Sequence, residues 1–345
     1  MTRQLKLYLM TVLVGFLGCG TQMPGGMNPS ATDVLMLIFG DGSAGARTIE
    51  IDEDWSVTYP PNLQFTDFTV NAGRTFTVPS GTTIRCTGTF TNNGTIRVLN
   101  GASGGSNRGA GGGVLVPYNG PPEAGIALGA AVNGDYGDNT SLRVQGDGGV
   151  GVGSLQARQI LNPGPKAGGG GGTIHITIGT SGGGSLRVLA RGAILNSVGS
   201  IIEANGGVGG GISGRGGAGG GVVILASRVS VTNNGTLRAH GSAGGNSSDS
   251  SGPGGGGGGG IVHLISPTIS PAGGGAVAVI GGAPGSISGM VTQPFRSGGG
   301  GGGACRGDGG QGGFVPAGAS VTPSAAQPGQ PGELLLTQLD PTTLF

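Results

Sequence analysis

Glycine is the residue that most limits what this chain can fold into, because it accounts for 85 of the 345 residues, against about 7% of an average protein. Each interior glycine costs an α-helix about 1 kcal/mol relative to alanine, which excludes a helical bundle or a coiled coil. A collagen triple helix is also excluded, because no Gly-X-Y period runs through the chain and only 20 residues are proline. The remaining possibilities are a β-solenoid, packed polyglycine and disorder.

A period of eight residues between residues 68 and 91 favours the solenoid. Apolar side chains occupy the first and third places of three consecutive eight-residue lines, as Phe68 and Val70, Phe76 and Val78, and Ile84 and Cys86. This alternation predicts short strands with one buried face. Gly73 and Gly81 share one place in the turns, where a residue free to adopt positive φ is needed. Strands and turns repeated at fixed spacing build a solenoid, in which Cys86 is predicted to be a small core residue.

A second repeat continues through the chain as Ser or Thr, Ile or Leu, Arg, and then Val, Ala or Cys. Its five copies contain Arg85, Arg97, Arg143, Arg187 and Arg238. Two copies follow an Asn-Asn-Gly turn, at residues 92–94 and 233–235, and residues 196–204 look like a degenerate copy with one residue inserted. Glycine tracts separate the copies, and each tract leads into an aliphatic strand.

The glycine tracts, such as residues 168–172, 206–221 and 254–260, admit two interpretations. They are either mobile loops, since glycine loses the most freedom on ordering, or packed extended threefold helices, whose backbones bond closely because no Cβ intervenes. Several long tracts, each leading into a strand, favour packing. We therefore predict an all-β fold, a glycine-rich parallel β-solenoid with polyglycine segments over residues 33–316, followed by a C-terminal tail over residues 317–345.

The N-terminus indicates an exported protein. Arg3 and Lys6 precede a short apolar stretch that ends at Cys19, and this is the pattern of a secretory signal, too short to span a bilayer. The sequence Leu-Gly-Cys at its end resembles a bacterial lipobox, although Phe16 stands where leucine is usual. The resemblance implies that residues 1–18 are a lipoprotein signal peptide, that Cys19 is lipidated, and that residues 19–32 are a tether at the outer membrane or cell surface. The alternative is an ordinary cleaved signal with an incidental cysteine.

Several segments together resemble the glycine-rich β-helical adhesins and tail proteins of phages and bacterial surfaces. They are Phe39-Gly-Asp-Gly-Ser-Ala-Gly45, Phe68-Thr-Val-Asn-Ala-Gly73, the Thr-Asn-Asn-Gly-Thr-Ile turn and the later glycine tracts. The resemblance implies binding or scaffolding rather than catalysis. The lipobox departs from phage tail proteins and favours a bacterial surface lipoprotein with a structural or adhesive role. A phage-derived receptor-binding protein remains an alternative.

The charges of the chain limit its partners. Of the 17 lysines and arginines, Arg3 and Lys6 lie in the predicted signal, which leaves 15 basic against 16 acidic residues. A nearly neutral chain without a basic tract argues against nucleic acid as a partner. If the repeats stack in register, the five repeat arginines would form a ladder of guanidinium groups for an anionic envelope polysaccharide or lipopolysaccharide. The alternative is that they keep a strand edge soluble. A surface protein is the other candidate partner.

The alternative function is that of an enzyme, a β-helical polysaccharide lyase or hydrolase, and it depends on the acidic residues. Such enzymes need paired carboxylates or a carboxylate-bound Ca²⁺. Asp135, Asp138 and Asp147 have a loop-like spacing that makes them weak Ca²⁺ candidates, whereas residues 50–54 are predicted to be a solvated strand edge. His175 and His263 share a place in their strands and are predicted to face solvent rather than a metal. In an exported protein, Cys86 and Cys305 would be in an oxidising compartment, and the sequence does not decide whether they form a disulfide. No catalytic residue and no other cofactor is predicted.

Overall fold

Three parallel sheets of six strands form the body of the protein. The computed structural model describes residues 31–101, 126–128, 148, 166–172, 180–207, 214–247, 252–270, 275–287, 296–297, 301, 307–315 and 324–344. The sheets, called A, B and C here, wind around one apolar interior. Each turn of the chain, called a rung, adds one strand to each sheet in that order. The parallel β-solenoid predicted from the sequence is confirmed.

The regular eight-residue period, residues 68–91, covers the second rung and the start of the third. Helix α1 (Ala31–Phe39) precedes a first rung of β1 (Arg47–Ile49), β2 (Glu53–Asp54) and β3 (Gln64–Phe65). The second rung comprises β4 (Phe68–Val70), β5 (Thr75–Val78) and β6 (Thr82–Cys86). The third begins with β7 (Phe90–Asn92) and β8 (Thr95–Val98), leaves the solenoid to form the parallel pair β9 (Ile126–Leu128) and β10 (Lys166–Gly168), and returns with β11 (Ser185–Ala190).

The last three rungs repeat this plan. The fourth rung comprises β12 (Ile194–Asn196), β13 (Ile201–Glu203) and β14 (Val222–Ser227), and the fifth comprises β15 (Val231–Asn233), β16 (Thr236–Arg238) and β17 (Ile261–Ile265). The sixth begins with β18 (Ile269–Ser270) and β19 (Ala276–Ala278), passes through the antiparallel pair β20 (Arg296–Ser297) and β21 (Phe314–Val315), and ends with β22 (Glu333–Thr337). A 3-10 helix follows at Pro341–Leu344. From the third rung onward, every long excursion leaves between sheets B and C.

The alternation of the eight-residue period places its apolar residues in the solenoid interior. Phe68, Val70 and Phe76 are fully buried, and the threonines between them are half-buried. Phe68 is level with Phe90 of the next rung, and the two rings stack with centroids 5.6 Å apart. Gly73 adopts φ 73°, as its place in the turn predicts.

Sheet C differs from the other two because it is covered on both faces. Every residue of β11, β14 and β17 is buried. The outer face of the sheet forms a second apolar cluster, in which Ile224 and Ile265 pack with Ile38 and Phe39 of α1. Strands buried on both faces have continuous rather than alternating hydrophobicity, and this explains the aliphatic strands that follow the glycine tracts.

A ladder of buried asparagines fixes the corner between sheets A and B. The side-chain amide of Asn92 donates to Asn196 Oδ1 at 2.8 Å, and that of Asn196 donates to Asn233 Oδ1 at 2.7 Å. The registers Asn196 with Asn92 and Ile201 with Thr95 show that the degenerate copy has two additional residues in its turn, not one. The ladder therefore stays in register although one turn is longer.

The described glycine tracts are close-packed beside the solenoid. All residues of the tract 252–260 are buried, and its backbone hydrogen bonds recur at every third residue. The N–H groups of Gly254, Gly257 and Gly260 donate to the carbonyls of residues 245, 242 and 239, which belong to one neighbouring segment. The N–H groups of Gly256 and Gly259 donate to the carbonyls of residues 327 and 330, in a second neighbouring segment. Every third residue facing the same neighbour is the pattern of an extended threefold helix. For the described tracts, the packed interpretation is therefore confirmed and the mobile one is wrong.

We call the packed glycine segments around the tract 252–260 the glycine bundle. One segment at its outside, residues 327–332, has glycine only at positions that face the tract. In the segment Gln-Pro-Gly-Gln-Pro-Gly at residues 327–332, an added Cβ at Gly329 or Gly332 would collide with the backbone of the tract 252–260, whereas Pro328 and Pro331 are exposed. This segment and β22 both lie in the predicted tail 317–345. Residues 333–337 pair with β17 as the last strand of sheet C, so this part of the predicted tail belongs to the solenoid.

Candidate functional site

Four of the five repeat arginines lie among the described residues, and they occupy two different sheets. Arg97 and Arg238 lie on sheet B, whereas Arg85 and Arg187 lie on sheet C; Arg143 lies outside the described residues. On sheet C the two arginines are not level, since Arg187 pairs with Thr83 and Arg85 with Leu189. These four residues therefore do not form the predicted ladder. The repeat occurs on strands of both sheets, and this separates its arginines.

Arg187 is buried rather than presented to a ligand. Its side chain is 6% exposed, and its Nε donates to Thr83 Oγ1 at 3.0 Å. It lies on the outer side of sheet C, level with Ile224 of β14. This face is covered by α1 and the C-terminal segment, so Arg187 does not line an open surface.

The outer face of sheet B keeps one compact charge cluster. Register places Glu203 between Arg97 and Arg238. Arg97 Nε lies 3.0 Å from Glu203 Oε1, and Arg238 Nη1 lies 4.0 Å from Glu203 Oε2. The side chains of Arg97 and Arg238 are 56% and 39% exposed, so this ion pairing stabilises the fold little. One carboxylate between two guanidinium groups leaves the sheet B cluster with a net positive charge.

A cleft of about 550 Å³ opens beside the first rung, a size within the range of small-ligand pockets. Arg47 Nη2 lies 2.6 Å from Glu53 Oε1, and Trp55 Nε1 donates to Glu53 Oε2 at 3.1 Å. Asp54 Oδ1 accepts from the backbone N and the hydroxyl of Ser56. Both oxygens of Glu53 are thus already engaged, which favours a binding or purely structural role over acid catalysis. Glu53 and Asp54 form β2, at the strand edge that the sequence predicted.

The buried indole of Trp55 forms the apolar floor of the first-rung cleft. Trp55 is 4% exposed and meets Phe76 edge-on, with ring centroids 4.5 Å apart. Tyr59 and Phe65 pack around it. No sequence motif marks this cleft, because the loop of residues 55–63 meets Arg47 only in the folded chain.

His263 is buried, and the prediction that it faces solvent is wrong. It is 1% exposed, its Nε2 lies 2.8 Å from Thr337 Oγ1, and its Nδ1 has no partner among the described residues. Burial lowers the pKa of this histidine to about 4, so it is neutral at physiological pH. Register places it level with Ile224 and Leu335. His175 lies outside the described residues.

The Cys86 thiol lies in the solenoid interior, as predicted. Burial, with a smaller contribution from the Asp67 carboxylate, raises its pKa to about 12, which makes it an inert core residue. The structure describes neither Cys305, the possible disulfide partner of Cys86, nor Cys19, the predicted lipidation site.

The calcium prediction stays a prediction, because Asp135, Asp138 and Asp147 all lie outside the described ranges. Within those ranges, no group of three or more His, Cys, Asp or Glu side chains is placed to hold a metal ion. The described part of the chain also contains no helix that is long and apolar enough to cross a membrane.

Comparisons with protein-family models, with curated proteins and with solved structures find no match to this chain.

Proposed function

We propose that this protein is a lipid-anchored structural or adhesive element on the outer surface of a bacterial envelope. The observation that carries the proposal is the glycine bundle, in which backbone packs on backbone beside a continuous solenoid. Such packing leaves few reactive side chains in the bundle and buries many backbone hydrogen bonds. It also stiffens the corner between sheets B and C, from which the long excursions leave. A stiff body with a mostly neutral surface suits display or attachment better than chemistry.

The anchor in this proposal is Cys19, acylated on its thiol and held by a short tether. Helix α1 begins at Ala31, and twelve residues span at most about 40 Å when fully extended. The solenoid would therefore stand close to the membrane surface. Replacing Cys19 with serine should release the protein from the membrane fraction into the medium or periplasm, and the intact protein should carry the mass of a diacylglyceryl group.

The ligand in the adhesive form of the proposal is an anionic envelope polysaccharide, and its binding surface is the sheet B cluster rather than a five-arginine ladder. Arg97 and Arg238 are the exposed guanidinium groups of that cluster. Guanidinium groups suit carboxylate and sulfate because of their planar donor geometry. Such binding weakens with salt, because exposed charges are screened.

The test mixes the chain from residue 20 onward with anionic and neutral envelope polysaccharides at two salt concentrations, and measures binding and cleavage together. We expect salt-sensitive binding of the anionic polymer that weakens about tenfold in an Arg97→Ala, Arg238→Ala double variant. Arg228→Ala is the matched control, because Arg228 is an exposed arginine in an ion pair with Asp340, away from sheet B. Equal weakening in the control would reject the sheet B cluster as the binding surface.

Cleavage of either polymer would instead favour the polysaccharide lyase or hydrolase. An Asp138→Ala variant that loses this cleavage would assign it to the Asp135, Asp138 and Asp147 region. Absence of both binding and cleavage would leave a structural coat protein as the function.

A further inference from the structure

The two ends of the solenoid differ in how their interiors are covered. At the first rung, Trp55 and Phe65 are each 4% exposed and Ile49 is fully buried. At the sixth rung, Leu334 and Leu336 are 37% and 48% exposed. The first end is closed by its own residues, and the last end presents apolar side chains to solvent.

The exposed leucines of β22 point into the solenoid rather than away from it. Leu334 is level with Val262 and Leu336 with Leu264, and both partners are fully buried members of the interior cluster. Leu335, between them, packs in the outer cluster of sheet C instead. Leu334 and Leu336 are therefore core residues whose next rung is missing among the described residues.

The described chain after β22 turns back along the solenoid. Asp340 lies 3.1 Å from Arg228, which follows β14 two rungs earlier. Leu339 and Leu344 pack against the outer cluster of sheet C, and the 3-10 helix contacts α1. This segment therefore does not cover the open end.

The open end is self-complementary under twofold rotation. A twofold axis perpendicular to the solenoid, lying just beyond β22 at the level of Leu335, brings this strand against its own copy in antiparallel pairing centred on Leu335. Leu334 then faces the partner's Leu336, on the interior side in both copies. Glu333 lies opposite the partner's Thr337, so the two glutamates sit about 13 Å apart.

The same rotation exchanges sheets A and B, so that β18 lies opposite the partner's β19. Ile269 and Val277 both pack toward the interior, and they would face each other across this contact. Among the described strands, β18, β19 and β22 each have one unpaired edge, and an unpaired edge is a template for another strand. Head-to-tail stacking would need an open first rung, which Trp55 closes. A twofold contact closes on itself.

We propose that two copies of this chain associate through the open ends of their solenoids, with β22 antiparallel to the partner's β22 and one apolar interior continuous through both. The occupant of the open end is a second copy because the last rung is apolar inside, carries no opposed like charges and matches its own pattern when reversed.

The test measures the mass of the chain from residue 20 onward, which keeps every described residue, by sedimentation equilibrium. We expect a dimer, and we expect Leu336→Glu to raise the dimer dissociation constant at least about 100-fold, because it would bury an unpaired carboxylate. Val198→Glu is the matched control, since Val198 is 81% exposed in a turn of the solenoid wall and should leave the dimer intact. A wild-type monomer at 100 μM, an open-ended series of oligomers, or a dimer insensitive to Leu336→Glu would overturn the proposal.

A cross-link provides a second measurement that does not depend on how Leu336→Glu folds. In antiparallel pairing centred on Leu335, this residue lies opposite its own copy at a Cα separation of about 4.5–5.5 Å, which a disulfide can bridge. Leu335→Cys in a Cys305→Ser background should form a covalent dimer under mild oxidation, whereas Val198→Cys should not. Failure of Leu335→Cys to cross-link in a wild-type-like dimer would reject this register.

Discussion

Replacing Gly257 with alanine tests whether the central glycine tract is close-packed. An added Cβ would come well inside the 3.0 Å that real Cβ contacts respect, against the carbonyl oxygen of Ala218. Because the obstacle is a backbone atom, the clash can be relieved only if the tract 252–260 moves away from the segment of Ala218. Separation of the tract 252–260 from residues 216–221 would break the hydrogen bonds from Gly217 N to Gly255 O (2.8 Å) and from Gly220 N to Gly258 O (2.8 Å). Two buried hydrogen bonds and overpacking together cost about 4 kcal/mol.

The assay for Gly257→Ala is urea unfolding followed by circular dichroism, with the free energy of unfolding obtained by linear extrapolation. Gly199→Ala is the control, because Gly199 has φ 77° and no atom within 4 Å of an added Cβ. Its only cost is backbone strain of about 1 kcal/mol. A loss for Gly257→Ala no larger than that of Gly199→Ala would refute the close packing of the tract.

Three further predictions concern buried polar and titratable groups. Asn196→Ala should cost about 2–4 kcal/mol in the same urea titration, because it removes a partner from the asparagine on each side; a loss under 1 kcal/mol would argue against the ladder. Because the pKa of His263 is about 4 in the folded chain and near 6.5 when unfolded, protons bind the unfolded chain first. The free energy of unfolding should therefore be fully retained above pH 6.5 and fall by about 3 kcal/mol toward pH 4, a slope that His263→Leu should remove. The Cys86 thiol, with its pKa raised to about 12, should react with a disulfide reagent at pH 8 only after unfolding in guanidinium, and rapid labelling of a folded Cys305→Ser variant would contradict its burial.

The strands of the early rungs were predictable because the alternation of apolar and polar residues within each strand shows which side chains are buried. Phe68 and Phe76 alternate with threonine, and a period of two directly gives the buried face of a strand. The same alternation does not say which sheet a strand joins. Arg85 and Arg97 stand in nearly identical tetrapeptides, yet they lie on sheets C and B, since the sheet that a strand joins follows from its place in the order A, B, C along the chain.

The burial of His263 could have been suspected from the continuous apolar run around it, which is typical of a strand covered on both faces. What covers that strand was not predictable, because α1 and the C-terminal segment come from opposite ends of the chain. The residues of the first-rung cleft lie close together in the sequence, but they match no recognisable motif.

The amino-acid sequence by itself determined the fold class of this protein. Frequent glycine excludes helical and collagen folds, and short alternating strands with glycine turns have few ways to bury their apolar face other than a solenoid. Only the tertiary structure decided that the described glycine tracts pack, that the described arginines of the repeat lie on different sheets, and that Leu334 and Leu336 are exposed at the last rung. Because glycine has no side chain, the sequence of a glycine tract does not indicate which segments it packs against. Its packing depends on which backbone segments the folded rungs bring together.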